Sequence, residues 1–302
     1  MSRYLDPKAD VVFKKIFGEH PKLLMSFLNA LLPLPANSPI VSLTYLQYEQ
    51  IPVIPEFKRT IADVKCTDAH GRIFIVEMQM NWNDSFKQRL LFGTSQAFVK
   101  QLAKGEDYKF LQPVYGLGLV AEIYETTTPT WYHHYQLVKK GEREHGDVIE
   151  HLQLIFIELP KFPVQSSEEK KLRLLWLRFL REIDEKTKLV SADLLAVPEI
   201  AKAVELAEEA AYTPGELNLY ESYWDQVSRE KTMFASKYAE GEAIGEARGK
   251  VEGKIEGKIE LIIAMLSNGV DPVFIAQNTG VELEKIKALQ HKMNTDQGDR
   301  VD

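Results

Sequence analysis

The stretch IADVKCTDAHGRIFIVEMQM, residues 61–80, constrains the fold more tightly than any other part of the chain. Two runs rich in β-branched and apolar residues flank Ala69-His70-Gly71, which reads as a β-hairpin. A three-residue loop needs one left-handed residue, and Gly71 supplies it without a Cβ penalty. Asp68 then pairs with Arg72, and counting outward along both arms puts Asp63 opposite Glu77. Directly opposite residues share a face, with Cβ atoms about 5 Å apart. A loop one residue longer would turn every side chain to the other face, so the pairing depends on that loop length. On the second arm Phe74, Val76, Met78 and Met80 form one apolar face, and Ile73, Ile75, Glu77 and Gln79 form the other.

The flanking segments predict a mixed α/β order. Asp6-Pro7 reads as a helix start, with Val12, Phe13, Ile16 and Phe17 at helical spacing up to Gly18. Pro21 begins a second helix, closed by Pro33 and Pro35. Residues 40–48 read as a strand, 84–104 as a helix, and VYGLGLVA, residues 114–121, as a buried strand. Residues 130–138 and 149–159 read as two more strands. Beyond Ser166 the pattern is helical throughout. We divide the chain into a core over 1–165, a helical segment over 166–239, a glycine-repeat arm over 240–260, a small helical module over 261–293 and a disordered tail over 294–302.

Two like charges directly opposite one another destabilise a hairpin unless something neutralises them. A divalent cation would do so, and carboxylates with a main-chain carbonyl and waters suit Mg²⁺ or Mn²⁺. The plain alternative is a surface strand on which Lys65 or Arg72 pairs with the acids. The formal net charge of −7 excludes a chain that binds nucleic acid by its bulk charge, so such binding needs a local patch. Phe57 to Lys104 provides one, with eight Lys or Arg against four Asp or Glu. The single cysteine, Cys66, excludes an internal disulfide and a cysteine zinc site. The start MSRYLDPKAD lacks the apolar core of a signal peptide, and no apolar run approaches 18 residues, so a cytoplasmic location without a membrane span is expected.

The motifs DPKADVVFKKIFG (6–18), KRTIADVKCTDAHGRIFIVEMQM (58–80) and QLAKGEDYKFLQPVYGLGL (101–119) resemble the recombination-promoting nucleases, the PD-(D/E)XK nuclease family transposases. The likeness extends to Arg89 on the helix after the hairpin and to the glycine repeat. It implies a restriction-endonuclease-like core, a mixed sheet flanked by helices, followed by an all-helical C-terminal extension. It implies a Mg²⁺-dependent DNA endonuclease linked to recombination or mobile DNA, with Mn²⁺ able to substitute. Asp63, Glu77, Gln79 and Asp10 would be catalytic, and Asp63, Glu77 and the Met78 main-chain carbonyl would hold the metal. Gln79 stands where the wider superfamily has lysine; it would position water but carries no charge. Ala62 replaces the proline that usually precedes the first aspartate. A decayed nuclease core that only binds DNA or assembles, and a metal-dependent RNase, are the competing readings.

Lys58, Arg59, Lys87 and Arg89 are the candidate phosphate contacts, with a solvated strand end and helix face as the alternative. Asn81, Trp82 and Asn83 suit a cap before the helix at Asp84. From Gly241 to Gly257 a glycine recurs every four residues. Each interior helical glycine costs about 1 kcal/mol relative to alanine, so close approach of helices should offset it. A homo-oligomer through this arm is expected, with a flexible linker as the alternative. The final helical pair, turning at Gly269 and starting again at Asp271-Pro272, has nearly balanced charge. It suits a protein contact as well as a DNA reader.

Overall fold

The computed structural model describes residues 3–46, 63–103, 105–140, 147–162 and 171–298. Its six strands are Leu43–Tyr45 (β1), Val64–Asp68 (β2), Ile73–Gln79 (β3), Val114–Val120 (β4), Tyr132–Val138 (β5) and Val148–Glu158 (β6). They form one mixed sheet in the order β1-β2-β3-β4-β6-β5. The β2–β3 hairpin has the register that a three-residue loop dictates, Val64 against Val76 and Cys66 against Phe74. Gly71 takes φ +80°. Asp68 locks the turn: its carboxylate accepts from the His70 and Arg72 N–H groups at 3.0 Å and from Arg72 Nε at 2.7 Å. The β3–β4 and β4–β6 pairs are parallel, and both outer pairs are antiparallel.

Each face of the sheet carries its own helical layer. On one face pack Asp10–Phe13 (α1), a π-helical turn Lys14–Gly18, Pro21–Leu31 (α2), and two helices from beyond the sheet, Lys171–Glu182 (α4) and Pro198–Leu206 (α6). Phe17, Phe27 and Trp176 meet there with ring centroids 4.5 to 5.6 Å apart. Burial of each such side chain is worth roughly 1.5–3 kcal/mol. On the other face lies Ser85–Val99 (α3), the crossover between β3 and β4. Its residues Phe86, Leu90 and Thr94 recur every four and land on Gly116 and Gly118 of β4. A Cβ on Gly118 would lie 3.0 Å from Phe86 and Phe156, and one on Gly116 2.6 Å from Thr94 Oγ1. These glycines let α3 sit close against the sheet, which sets its other side chains over β3.

The first helix departs from expectation. It begins at Asp10, not at Asp6-Pro7, because Asp6 to Ala9 closes a separate turn, with the Ala9 N–H on the Asp6 carbonyl at 3.0 Å, and Ala9 then takes an extended backbone. The Asp6 N–H donates to Tyr220 Oη at 3.0 Å, and its carboxylate accepts the Lys8 N–H at 2.9 Å. The first strand is also shorter than expected among the described residues, where it covers Leu43–Tyr45. After Ala192–Leu195 (α5), the chain enters Pro214–Ser267 (α7), one helix of 54 residues that runs through the glycine repeat. Thr213 and Glu216 cap its start reciprocally. Pro272–Thr279 (α8) and Leu283–Gly298 (α9) follow. Asp271 caps α8 through the Val273 N–H, and left-handed Gly280 ends it, as the sequence signals.

The chain divides into two compact units, Met1–Lys231 and Thr232–Asp302. The first holds the sheet and both helical layers. The second is built around Ile262, Leu266, Ile275 and Ile286. Among the described residues no helix is long and apolar enough to cross a membrane.

Candidate active site

Asp63 occupies the bend before β2, so the hairpin register extended by one residue sets it across from Glu77. Its Oδ2 accepts the Met78 N–H at 2.5 Å. The neighbouring Gln79 carbonyl bonds the opposite way, to the Ala121 N–H beyond β4. Successive residues of a strand alternate edges, so the Met78 carbonyl points to the same edge as its N–H, towards Asp63. Glu77 follows four buried residues of β3 and is itself only 4% exposed.

Burial makes both acids reluctant to ionise. It pushes the Asp63 carboxyl up to about 7, with Asp10 and Glu77 adding repulsion and the Met78 N–H and Lys14 opposing. Burial also raises Glu77, against the pull of the Arg89 guanidinium. Glu77 Oε1 is buried and has no hydrogen-bond partner among the described residues. An orphaned buried carboxylate oxygen facing a second acid fits a divalent cation, which would supply the missing partner and relieve the repulsion.

Asp10 stands beside this pair. Its carboxylate is bridged to Lys14 Nζ at 2.7 Å, and both side chains are about 40% exposed. Among the described residues no three His, Cys, Asp or Glu side chains gather as a metal-ligand group, so any ion there would rest on two carboxylates with main-chain and water oxygens. His133 and His134 are occupied elsewhere, with Glu158 and Gln153.

Gln79 is engaged at both ends of its amide. Nε2 donates to the Asn81 carbonyl at 2.5 Å, and Oε1 accepts a short hydrogen bond from Arg89 Nη2. Arg89 Nε lies 3.6 Å from Glu77 Oε2. In this arrangement both ends of the Gln79 amide are taken up, one by the Asn81 carbonyl and one by Arg89. Lys87 points away from the carboxylates, with Nζ 4.6 Å from the Tyr124 ring centroid and donating to Tyr135 Oη at 3.2 Å. Trp82 stacks on Tyr124 at 4.0 Å, and Asn81 Nδ2 donates to the Val227 carbonyl of α7 at 2.9 Å. Lys58 and Arg59 lie outside the described residues.

The sequence reading missed Tyr223, on α7. It is half-buried, and burial together with the charges of Asp63 and Asp10 holds its phenol above its ordinary range. It is 160 positions from Asp63 in the chain, so no local spacing announces it.

A family model described as PD-(D/E)XK nuclease family transposase matches residues 7–235, from just before α1 into α7. Neither the curated proteins nor the solved structures give a match to the chain.

Proposed function

Because the chain belongs to the PD-(D/E)XK nuclease family transposases, we propose that it is a divalent-metal-dependent DNA endonuclease acting in recombination or on mobile DNA. The observation that carries this reading is the hairpin end, where the Asp63 carboxylate accepts the Met78 N–H, the register extended by one residue sets Asp63 across from Glu77, and Glu77 Oε1 is buried without a hydrogen-bond partner among the described residues. Asp63, Glu77 and the Met78 carbonyl would hold Mg²⁺, or Mn²⁺ in its place. Bound there, the ion supplies an acidified water and neutralises charge on the scissile phosphate.

The chain's own groups have separate tasks in this reading. The Met78 N–H fixes the Asp63 carboxylate in orientation. Asp10, within electrostatic reach of Asp63, serves as the outer acid of the site. Lys58, Arg59 and Lys87 bind the DNA backbone, Arg89 faces the phosphate beside Glu77, and a homo-oligomer forms through the glycine arm. The division into a nuclease core over 1–165, a helical segment over 166–239, a glycine arm over 240–260 and a small module over 261–293 belongs to the same proposal, as does a cytoplasmic location; the tail expected to be disordered from 294 instead continues α9 as far as Gly298.

The test is nicking of supercoiled plasmid in Mg²⁺, Mn²⁺ and EDTA by wild type, Asp63→Ala and Glu77→Ala, each variant first shown to melt as a folded protein. Cutting by wild type in either metal, none in EDTA, and losses in both variants beyond the roughly 100-fold that removal of a supporting residue costs are expected. Equal cutting by all three proteins would place the activity elsewhere.

A further inference from the structure

We propose that Arg89 is the cationic catalytic residue of this site and that Gln79 is its positioning residue, the two together doing what a single strand lysine would do. The inference rests on the nuclease reading above and deepens it. Gln79 itself carries no charge with which to stabilise a phosphate in transit. The structure shows where a charge comes from. Arg89, one turn along α3 from Phe86, spans Glu77 and Gln79 with two different nitrogens.

Three features hold the guanidinium there. The Gln79 amide is pinned at Nε2 by the Asn81 carbonyl, which leaves Oε1 facing Arg89. Asn81 is itself buried and anchored to the Val227 carbonyl. Beneath the guanidinium lies the Phe86 ring, with its centroid 5.1 Å away, and Phe86 is wedged against Gly118. The close seat of α3 on the β4 glycines thus sets the reach of Arg89 over β3. Its side chain remains 42% exposed, so a phosphate arriving from solvent can meet it, whereas Glu77 beside it is nearly closed off.

A planar, permanently charged fork suits this position. It can keep one nitrogen on Gln79 while presenting others to phosphate oxygens. Charge stabilisation placed where charge develops lowers the barrier without tightening ground-state binding. That separates the proposal from an ordinary backbone contact. Removing an ordinary contact raises KM and lowers the salt dependence of DNA binding, and it leaves kcat unchanged.

The experiment compares wild type, Arg89→Gln, Gln79→Lys and the double variant in single-turnover and steady-state cleavage, with Mn²⁺ binding measured by calorimetry. Arg89→Gln is expected to lower kcat by about 100-fold with little change in KM. Adding Gln79→Lys, which returns the charge to the strand, is expected to recover at least about a tenth of the wild-type rate. Mn²⁺ should bind several-fold more tightly to Arg89→Gln, because a competing cation beside Glu77 has been removed. An Arg89→Gln protein with raised KM, intact kcat and a salt slope smaller by about one overturns the proposal in favour of a plain phosphate contact. Mn²⁺ affinity unchanged by Arg89→Gln overturns the placement of Arg89 beside the metal-binding carboxylate. A wild type that binds DNA and Mn²⁺ yet cuts nothing overturns the nuclease reading itself.

Discussion

Ionising Asp63 costs the folded chain more than the unfolded one. Its carboxyl titrates near 3.8 when free and is pushed up to about 7 by burial in the folded state. Between those values the folded chain keeps a proton that the unfolded chain has lost, so stability falls as pH rises from about 4 to about 7 and levels off above. Asp63→Asn keeps the shape and the acceptor for the Met78 N–H and removes the charge. In EDTA this variant is expected to be more stable than wild type at pH 8, by on the order of 4 kcal/mol, and equal to it near pH 4. Denaturant unfolding at the two pH values checks this, and equal stability at both would mean that Asp63 is well solvated in the metal-free protein. The same variant should fail to cut DNA. Stability would then be gained by disarming the site, as expected where a carboxylate is kept buried for a ligand.

At the scale of elements, the hairpin was legible because everything that fixes it is local. Gly71 sets the loop, period-two alternation sets the faces, and the register of Asp63 and Glu77 follows from both. The seat of α3 was not legible. VYGLGLV announces a buried strand, but the need for Gly116 and Gly118 arises only when Thr94, Phe86 and Phe156 arrive from other elements. The helix signal of Asp6-Pro7 produces only an isolated turn, with the Asp6 carboxylate on the Lys8 N–H, and α1 starts after the extended Ala9. Arg89 was legible as a basic residue near the site, but its bond to Gln79 depends on how deeply α3 sits. Gly118→Ala tests that dependence. Its Cβ would press Phe86 and Phe156 apart, which should cost about 1–3 kcal/mol of stability. Cleavage measured well below the melting temperature should also fall, because Arg89 rides on the helix that is pushed out. Lost stability with full cleavage would show that α3 can shift without disturbing the site.

At the scale of the molecule, the 54-residue α7 poses the remaining physical question: why a helix tolerates a glycine every four residues. A Cβ added at Gly241, Gly245, Gly249, Gly253 or Gly257 would meet nothing within 4 Å, so no contact within the described chain requires them. Nor do they share a face with the apolar residues beside them in sequence. Val251, Ile255 and Ile259 each follow a glycine by two positions, about 200° round the helix, and all three are exposed. The arm therefore presents a winding glycine column, turning about 160° round the helix from Gly241 to Gly257, and, nearly opposite it at each level, an apolar one. If two copies associate through the glycine column, as proposed, added methyl groups hold the helices apart. Replacing Gly245, Gly249 and Gly253 together with alanine should raise helical content, through about 1 kcal/mol of propensity at each position, while weakening self-association. Circular dichroism reads the first effect and sedimentation velocity across a concentration series reads the second. Higher helicity with unchanged assembly would remove the glycines from the interface. The Val251, Ile255 and Ile259 column would then be the surface to mutate, since its exposed apolar side chains have burial to gain where a glycine backbone has only proximity.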